Sequence, residues 1–126
     1  MERRIRVLIA DDLQPTRLGL SALLTLCPEV ELVGEATNGL EAVQLAAERR
    51  PDVVLMDMQM PVMDGYAATM NLRQQGYRRS IVALTANVMK GDREKCMAVG
   101  CDSFVGKPVK KKVLIGTLME NLDRDV

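Results

Sequence analysis

Five side chains able to take part in chemistry stand at the ends of short apolar runs: Asp11, Asp12, Asp57, Thr85 and Lys107. Taken singly they are ordinary, because an aspartate in such a place is more often a helix cap or a solvated turn. Together, three carboxylates would repel one another and resist ionisation unless a cation lay among them. Oxygen donors without histidine or thiolate suit Mg²⁺, which keeps several waters and shares phosphate oxygens with its substrate.

A carboxylate is also a nucleophile toward phosphorus, and its attack would give an aspartyl phosphate. In that case Lys107 supplies a positive charge, and Thr85 a hydroxyl donor, to the phosphoryl oxygens. The set therefore predicts Mg²⁺-dependent phosphoryl chemistry, provided that the fold brings the residues together.

Composition narrows the classes of function. The chain has no histidine, and its 17 basic residues balance its 17 acidic ones. It therefore has no His-based triad, no histidine metal ligand and no phosphohistidine of its own, and no net charge to attract nucleic acid or an anionic membrane. Cys27, Cys96 and Cys101 are odd in number and widely spaced, as expected of reduced thiols. We expect a cytoplasmic protein without direct nucleic-acid binding or membrane insertion.

Short apolar runs alternate with stretches of helical periodicity along the chain. The run 53–56 is apolar throughout, as is typical of a central parallel strand covered on both faces. In the run 30–36, Glu31 and Glu35 leave one face wet, as in an edge strand. The predicted strands are 5–10, 30–36, 53–56, 80–84 and 102–105, and predicted helices follow them, beginning near Pro15, Asn38, Gly65, Asn87 and Pro108.

Core-facing apolar stripes are predicted for three of these helices, and that of the first helix is Leu20, Leu23, Leu24 and Cys27. The second helix is predicted to open on Asn38 as its cap, with Glu41 as reciprocal partner. Its predicted apolar stripe is Leu40, Val43 and Ala47, and that of the last helix is Ile115, Leu118, Met119 and Leu122.

This rhythm predicts an α/β fold, a (βα)5 doubly wound parallel sheet of five strands with helices on both faces. We take residues 1–126 as one domain, because no linker, repeat or low-complexity stretch interrupts the pattern. In such sheets the ligand site lies beyond the carboxyl ends of the strands. The five polar residues fall at that edge.

The chain resembles a response-regulator receiver domain along essentially its whole length. Four segments carry the resemblance, and their order and placement together are specific: Ala10-Asp11-Asp12, Met56-Asp57-Met58-Gln59-Met60-Pro61-Val62-Met63-Asp64-Gly65, Leu84-Thr85-Ala86-Asn87 and Phe104-Val105-Gly106-Lys107-Pro108. The resemblance implies a flavodoxin-like sheet with strand order 2-1-3-4-5.

The resemblance also implies roles for residues. Asp57 would accept a phosphoryl group from a partner's phosphohistidine. Mg²⁺ would be held by Asp12, Asp57 and the carbonyl of Gln59, with Asp11 acting mainly through a bound water. The phosphoryl oxygens would be held by Thr85, the N–H of Ala86 and Lys107. The switch residues would be Thr85 and Phe104, which stands where tyrosine is frequent, and Gln59 and Asn87 would tune the phosphoryl lifetime.

The partners implied are a sensor histidine kinase or a histidine phosphotransfer protein. The chain would not be an enzyme, since it would catalyse only its own phosphorylation and dephosphorylation. One alternative is a pseudo-receiver that keeps the fold without phosphorylation, which the intact Asp12, Asp57, Thr85 and Lys107 disfavour. Another is an aspartyl-phosphate phosphatase, disfavoured because Gln59 stands where such enzymes carry a second acid. A flavin-binding flavodoxin is a third, but the loop after the first strand lacks a phosphate cradle.

The downstream output stays open at this stage. The segments around Asp57 and Thr85 resemble receivers attached to hybrid sensor kinases, whereas 4–39 resembles regulators with a DNA-binding output domain. The sequence therefore leaves open whether the chain is a stand-alone regulator or one domain of a larger protein, and whether phosphorylation drives dimerisation.

Overall fold

The computed structural model describes residues 4–86 and 90–124. Within that part of the chain, five strands alternate with five helices. The strands are β1 (Ile5–Ala10), β2 (Val30–Ala36), β3 (Val53–Asp57), β4 (Ser80–Thr85) and β5 (Ser103–Gly106). The helices are α1 (Gln14–Thr25), α2 (Gly39–Arg49), α3 (Gly65–Gln74), α4 (Lys90–Ala98) and α5 (Lys111–Arg124).

All strand pairs are parallel, and the sheet order is β2-β1-β3-β4-β5. The predicted α/β fold class and strand order are therefore confirmed. Every residue of β3 and β4 is buried, as expected of central strands, whereas β2 at the edge exposes Glu31 and Glu35. The predicted start of the fourth helix near Asn87 lies outside the described residues.

Two hydrophobic layers enclose the sheet. On one face Leu8, Val54, Met56 and Ile81 pack among side chains from α2, α3 and α4. On the other face the strand residues pack against α1 and α5, with Ile5, Val7, Leu55, Leu84, Leu20, Leu24, Leu114 and Leu118 fully buried or nearly so. Burial of apolar surface in these layers stabilises the fold by about 25 cal/mol for each Å². This packing holds the strands, and therefore their ends, in a fixed arrangement.

The second helix turns a different face to the core from the one predicted. Its buried residues are Gly39, Ala42, Val43 and Ala46, whereas Leu40 is 43% exposed. The reason is close packing: a Cβ on Gly39 would lie 2.2 Å from the carbonyl oxygen of Met63. Small residues let α2 approach the loop that contains Met63. This close contact, and not the burial of the largest apolar side chain, sets the rotation of the helix about its axis.

Two further local predictions need correction. Asn38 does cap α2, accepting a hydrogen bond from the N–H of Glu41, but the Glu41 carboxylate accepts from the N–H and hydroxyl of Thr37 instead of Asn38. In α5 the buried residues include Leu114, while Met119 is 36% exposed. Both differences arise because residues outside each helix, and not the helix pattern alone, determine its side-chain contacts.

The three cysteines are free and buried. Cys96 lies in the layer that contains α4, and Cys101 lies beside the hydroxyl of Thr69, with 3.9 Å between sulfur and oxygen. Burial raises the pKa of the Cys96 thiol and raises that of Cys101 to about 12. The Cys27 thiol donates a hydrogen bond to Glu29. That bond raises the pKa of the thiol most, and burial raises it further. These thiols therefore stay protonated at neutral pH.

No helix among residues 4–86 and 90–124 is both long enough and apolar enough to cross a bilayer.

Arg73 of α3 ties the end of that helix to the turn before β5. Its guanidinium donates to the carbonyls of Gly100, Tyr77 and Arg79 and forms an ion pair with Asp102 at 2.8 Å. Asp102 in turn accepts from the N–H of Ile81 on β4.

Replacing Arg73 with methionine should lower the free energy of unfolding by about 2 to 3 kcal/mol, because partly buried carbonyls and a carboxylate lose their donor. Urea denaturation measures this loss. The matched control is Arg78→Met, which removes an exposed arginine from the following loop and should change stability by less than about 0.5 kcal/mol. Equal losses in both variants would show that the network around Arg73 does not act as described.

Candidate functional site

Polar side chains from four strand ends meet at the carboxyl edge of the sheet. The pairing register places Ala10 beside Met56, Asp57 beside Leu84 and Thr85 beside Gly106. The residues just after β1, ending β3 and just after β5 therefore converge. Carboxylate oxygens of Asp11, Asp12 and Asp57 all lie within 4.8 Å of one another.

These residues surround a cleft of about 460 Å³. Asp57 lies in its wall and is only 5% exposed, while Asp11 is fully buried and Asp12 is partly exposed. The structure thus brings the five predicted polar residues to one place. The cleft is lined by Asp12, Leu13, Thr16, Asp57, Met58, Gln59, Tyr66, Leu84, Thr85, Ala86, Asp92 and Lys107.

Lys107 is the cation of this cleft. Its ammonium nitrogen lies 2.9 Å from Oδ2 of Asp11 and 3.3 Å from Oδ2 of Asp57. Its backbone N–H donates to the carbonyl of Thr85, which fixes the end of β5 against β4. Burial alone would lower the pKa of Lys107, but the hydrogen bond to Asp11 and the charges of Asp57 and Asp11 outweigh it and raise that pKa. Lys107 is therefore fully charged at neutral pH.

Asp11 is held from both sides. Its Oδ1 accepts from the N–H of Leu13 at 2.9 Å, and its Oδ2 accepts from Lys107. Its carbonyl accepts from Arg17 of α1 at 2.7 Å. Because both carboxylate oxygens already have a donor, Asp11 is less available as a direct metal ligand than the more exposed Asp12.

Asp57 combines burial with few donors. One oxygen accepts from the N–H of Gln59 at 3.2 Å, and the other faces Lys107. Burial raises the pKa of Asp57; the Gln59 N–H and the Lys107 charge act against this rise, and the Asp11 charge adds to it. An ionised Asp57 is therefore a poorly solvated carboxylate, which is the condition of a reactive nucleophile.

The loop after β3 is packed tightly against the end of that strand. The N–H of Gly65 donates to the carbonyl of Met58 at 3.3 Å, and a Cβ on Gly65 would lie 2.4 Å from the carbonyl oxygen of Asp57. Only glycine fits this approach. The loop that carries Gln59 is thereby fixed beside the Asp57 side chain.

The other predicted site residues fall in different places. Gln59 and Ala86 are exposed and line the cleft, whereas Phe104 lies outside it, half-buried on β5, with the Arg93 guanidinium 5.3 Å from its ring centroid. Asn87 lies outside the described residues. Sequence reasoning did not find Tyr66 or Asp92, which line the cleft from α3 and α4. Neither follows an apolar run, so the signal that marked the other residues is absent for both.

The donor set fits a hard divalent cation. Among the residues that the structure describes, the clustered carboxylates of Asp11, Asp12 and Asp57 outnumber the ammonium of Lys107, which leaves an excess of negative charge, and these carboxylates offer oxygen ligands. Burial raises the pKa of Asp57 because the ionised carboxylate is poorly solvated there, and a bound cation would stabilise that ionised form. Mg²⁺ is the cation best matched to such ligands.

Sheet order and acidic edge together define a flavodoxin-like doubly wound α/β domain. Residues 7–119 match the profile of the response regulator receiver domain. The chain belongs to that family, the receiver domains of response regulators in two-component systems, which act with histidine kinases.

Relatives and solved structures agree with the family. The chain is 45% identical over 106 residues to the transcriptional regulatory protein LiaR of Bacillus subtilis, covering 84% of this chain and 50% of LiaR. It is 38% identical over 114 residues to the two-component response regulator ORR41 of rice, Oryza sativa subsp. japonica, covering 89% of this chain and 90% of that protein. The chain thus spans half of the bacterial relative but most of the plant one.

Among solved structures, the receiver domain of the sensor histidine kinase PA1611 from Pseudomonas aeruginosa PAO1 is 33% identical with a TM-score of 0.86, covering 95% of this chain and 98% of that one. That structure has a magnesium ion coordinated in its active site cleft. The signal receiver domain of the putative response regulator NarL from Mycobacterium tuberculosis has a TM-score of 0.91 at 26% identity, covering 96% of this chain and 98% of that one.

Proposed function

We propose that this receiver domain accepts a phosphoryl group on Asp57 from a phosphohistidine of a sensor histidine kinase or a histidine phosphotransfer protein. The observation that carries the proposal is the placement of the Asp57 carboxylate, nearly buried in the cleft wall, 3.3 Å from the Lys107 ammonium and within 4.8 Å of two more carboxylates. A structural aspartate does not need such neighbours.

In the transfer, an oxygen of Asp57 attacks phosphorus as the phosphorus–nitrogen bond to the donor's imidazole breaks. The electron pair of that bond leaves with the imidazole nitrogen, which takes up a proton, and the products are an aspartyl phosphate and a neutral histidine. Asp57 must be ionised to attack, and Lys107 favours the ionised form.

Lys107 and Thr85 stabilise the transferred group. The Lys107 ammonium already lies near both Asp11 and Asp57. It is therefore close enough to bind a phosphoryl oxygen once the negative charge has moved there from the Asp57 carboxylate. Thr85 ends β4 on the cleft wall, and the N–H of Ala86 follows it. When bound, Mg²⁺ neutralises the charge that develops on the phosphoryl oxygens. Asp12, Asp57 and the Gln59 carbonyl would hold it, with Asp11 contributing through water.

The signal leaves the site through Thr85 and Phe104 in this proposal. Thr85 moves toward the phosphoryl group, and the space it vacates admits the ring of Phe104, which now lies half-buried on β5 outside the cleft. The surface of α4, β5 and α5 changes as a result. Gln59 lies where it tunes attack by water, and we assign Asn87 the same role from its place in the sequence.

We further propose that the chain turns over no separate substrate and works in the cytoplasm as a Mg²⁺-dependent phosphoprotein. In this proposal the output partner, or a second copy in a phosphorylation-dependent dimer, binds the surface formed by α4, β5 and α5. The chain makes no direct contact with nucleic acid.

The test is treatment with acetyl phosphate, or with beryllofluoride as a stable mimic, with and without Mg²⁺. Intact mass spectrometry should show one phosphoryl adduct that peptide mapping places on Asp57, and NMR shifts should change at Thr85 and Phe104, in both cases only with Mg²⁺. A chain that binds no Mg²⁺ and takes no adduct would instead be a pseudo-receiver, a structural interaction module.

A further inference from the structure

Asp92 is a fourth carboxylate of the cleft, and the proposed chemistry does not use it. It lies in the first turn of α4, half-buried, and lines the same cleft as Asp57, Thr85 and Lys107. The other three carboxylates come from the ends of β1 and β3. The cleft therefore has an acidic side chain on α4 as well as those at the ends of β1 and β3.

The charge of Asp92 has no salt-bridge partner among the side chains that the structure describes. Two neighbouring cations of α4 are engaged elsewhere, since Arg93 lies over the ring of Phe104 and Lys95 lies 4.2 Å from the ring centroid of Tyr66. Lys107, which lines the same cleft, is shared between Asp11 and Asp57.

The charge of Asp92 acts on a second group that lines the cleft. Tyr66 lines that cleft, and burial, its contact with Cys96 and the negative charge of Asp92 together raise the pKa of Tyr66 to about 12. Any anion near Tyr66 is exposed to the same repulsion.

We propose that Asp92 is a specificity-determining residue, which lowers the reactivity of the site toward small anionic phosphodonors in proportion to their charge. This inference rests on the proposed phosphoacceptor function of Asp57. A protein donor brings a docking surface that offsets the repulsion, whereas a small acyl phosphate or phosphoramidate has no other contact to offset it. The same field attracts cations, so Asp92 also strengthens Mg²⁺ binding. Coulomb's law at roughly 10 Å in a largely aqueous cleft gives about a twofold effect for each unit of charge.

A structural role for Asp92 is the competing explanation, since an acid in the first turn of a helix stabilises that helix through its dipole. A change in helix stability would alter reactions with all donors alike. Repulsion instead makes the effect depend on donor charge and gives opposite signs for anions and cations.

The experiment compares Asp92→Asn with Glu94→Gln, which removes the same charge from an exposed position of α4 outside the cleft. Initial rates of adduct formation are measured at saturating Mg²⁺ with doubly charged acetyl phosphate and singly charged phosphoramidate. Mg²⁺ affinity is measured separately by NMR titration.

In Asp92→Asn we expect the rate to rise about fourfold with acetyl phosphate and about twofold with phosphoramidate, and the Mg²⁺ affinity to fall about fourfold. High salt should reduce all three effects. Glu94→Gln should match the wild type.

Equal rate changes for the two donors, or no change, would overturn the proposal, and so would an unchanged Mg²⁺ affinity. If the wild-type chain takes no phosphoryl group from either donor, the proposed function fails. The Mg²⁺ titration then decides alone: weaker binding in Asp92→Asn than in Glu94→Gln supports the field of Asp92, and equal binding overturns it.

Discussion

Replacing Asp57 with asparagine should abolish the phosphoryl adduct formed with acetyl phosphate and Mg²⁺. The amide is isosteric but lacks the nucleophilic carboxylate oxygen. Of the other carboxylates of the cleft, Asp11 is committed to Lys107, Asp12 is placed at the rim and Asp92 is carried by α4. Intact mass spectrometry after treatment measures the loss. Glu48→Gln, which removes an exposed acid from α2, is the control and should label like the wild type. Robust labelling of Asp57→Asn would place the acceptor elsewhere.

The same substitution should make the Mg²⁺-free chain more stable at neutral pH. Burial raises the folded-state pKa of Asp57 above its ordinary value of 3.8, so the fold favours the protonated carboxyl group. The stability that this group contributes is present below pH 3.8 and is lost as the pH rises through the folded-state pKa. Asparagine does not titrate and avoids the loss.

Thermal denaturation in a chelator tests this expectation. The midpoint of Asp57→Asn should exceed that of the wild type at pH 7, and the two should converge as the pH falls below 3.8. Saturating Mg²⁺ should reduce this difference in midpoint. The cation stabilises the wild type by binding to it, whereas Asp57→Asn lacks one of the proposed ligands. A variant less stable than the wild type at pH 7 without Mg²⁺ would show that the Lys107 contact outweighs burial.

Replacing Lys107 with methionine should lower the rate of labelling by about 100-fold or more, since removing one preorganised donor from a developing oxyanion costs that much. The substitution should also cost about 3 kcal/mol of stability, because the fully buried carboxylate of Asp11 loses its cation. Initial labelling rates and urea denaturation measure the two effects.

A double variant separates these effects. Adding Asp11→Asn to Lys107→Met removes the uncompensated buried charge and should restore most of the stability, whereas labelling should stay low. Recovery of labelling together with stability would show that Lys107 acts only on the fold. Labelling of Lys107→Met at the wild-type rate would remove it from the proposed mechanism.

The sheet and most of the cleft follow from local sequence, for a physical reason. Strand β3 is apolar from Val53 to Met56, and its burial on both faces leaves its carboxyl end as the place where Asp57 meets the ends of neighbouring strands. Parallel pairing then brings the strand ends that carry Asp11, Asp57 and Lys107 to one edge of the sheet. The strand order that makes these ends close neighbours was implied by the family resemblance and not by local sequence.

The faces of the helices do not follow in the same way. Leu40 is exposed, although it is larger and more apolar than the buried Gly39, because α2 packs against the carbonyl of Met63. Such a contact joins residues distant in sequence and leaves no periodic signal. Tyr66 and Asp92 escaped prediction for the same reason, since only the packing of α3 and α4 beside the strand ends turns them into the cleft.

The buried, protonated thiols make the wild-type chain suitable for site-specific fluorescent labelling. Maleimide dyes react with exposed thiolates, and Cys27, Cys96 and Cys101 offer neither exposure nor a thiolate at neutral pH. A cysteine introduced at Met97, which is 41% exposed on α4 and lines the same surface groove as Phe104, would take the dye without removal of the native cysteines. The reporter would then stand on the surface that is proposed to rearrange, in a chain with an unaltered interior.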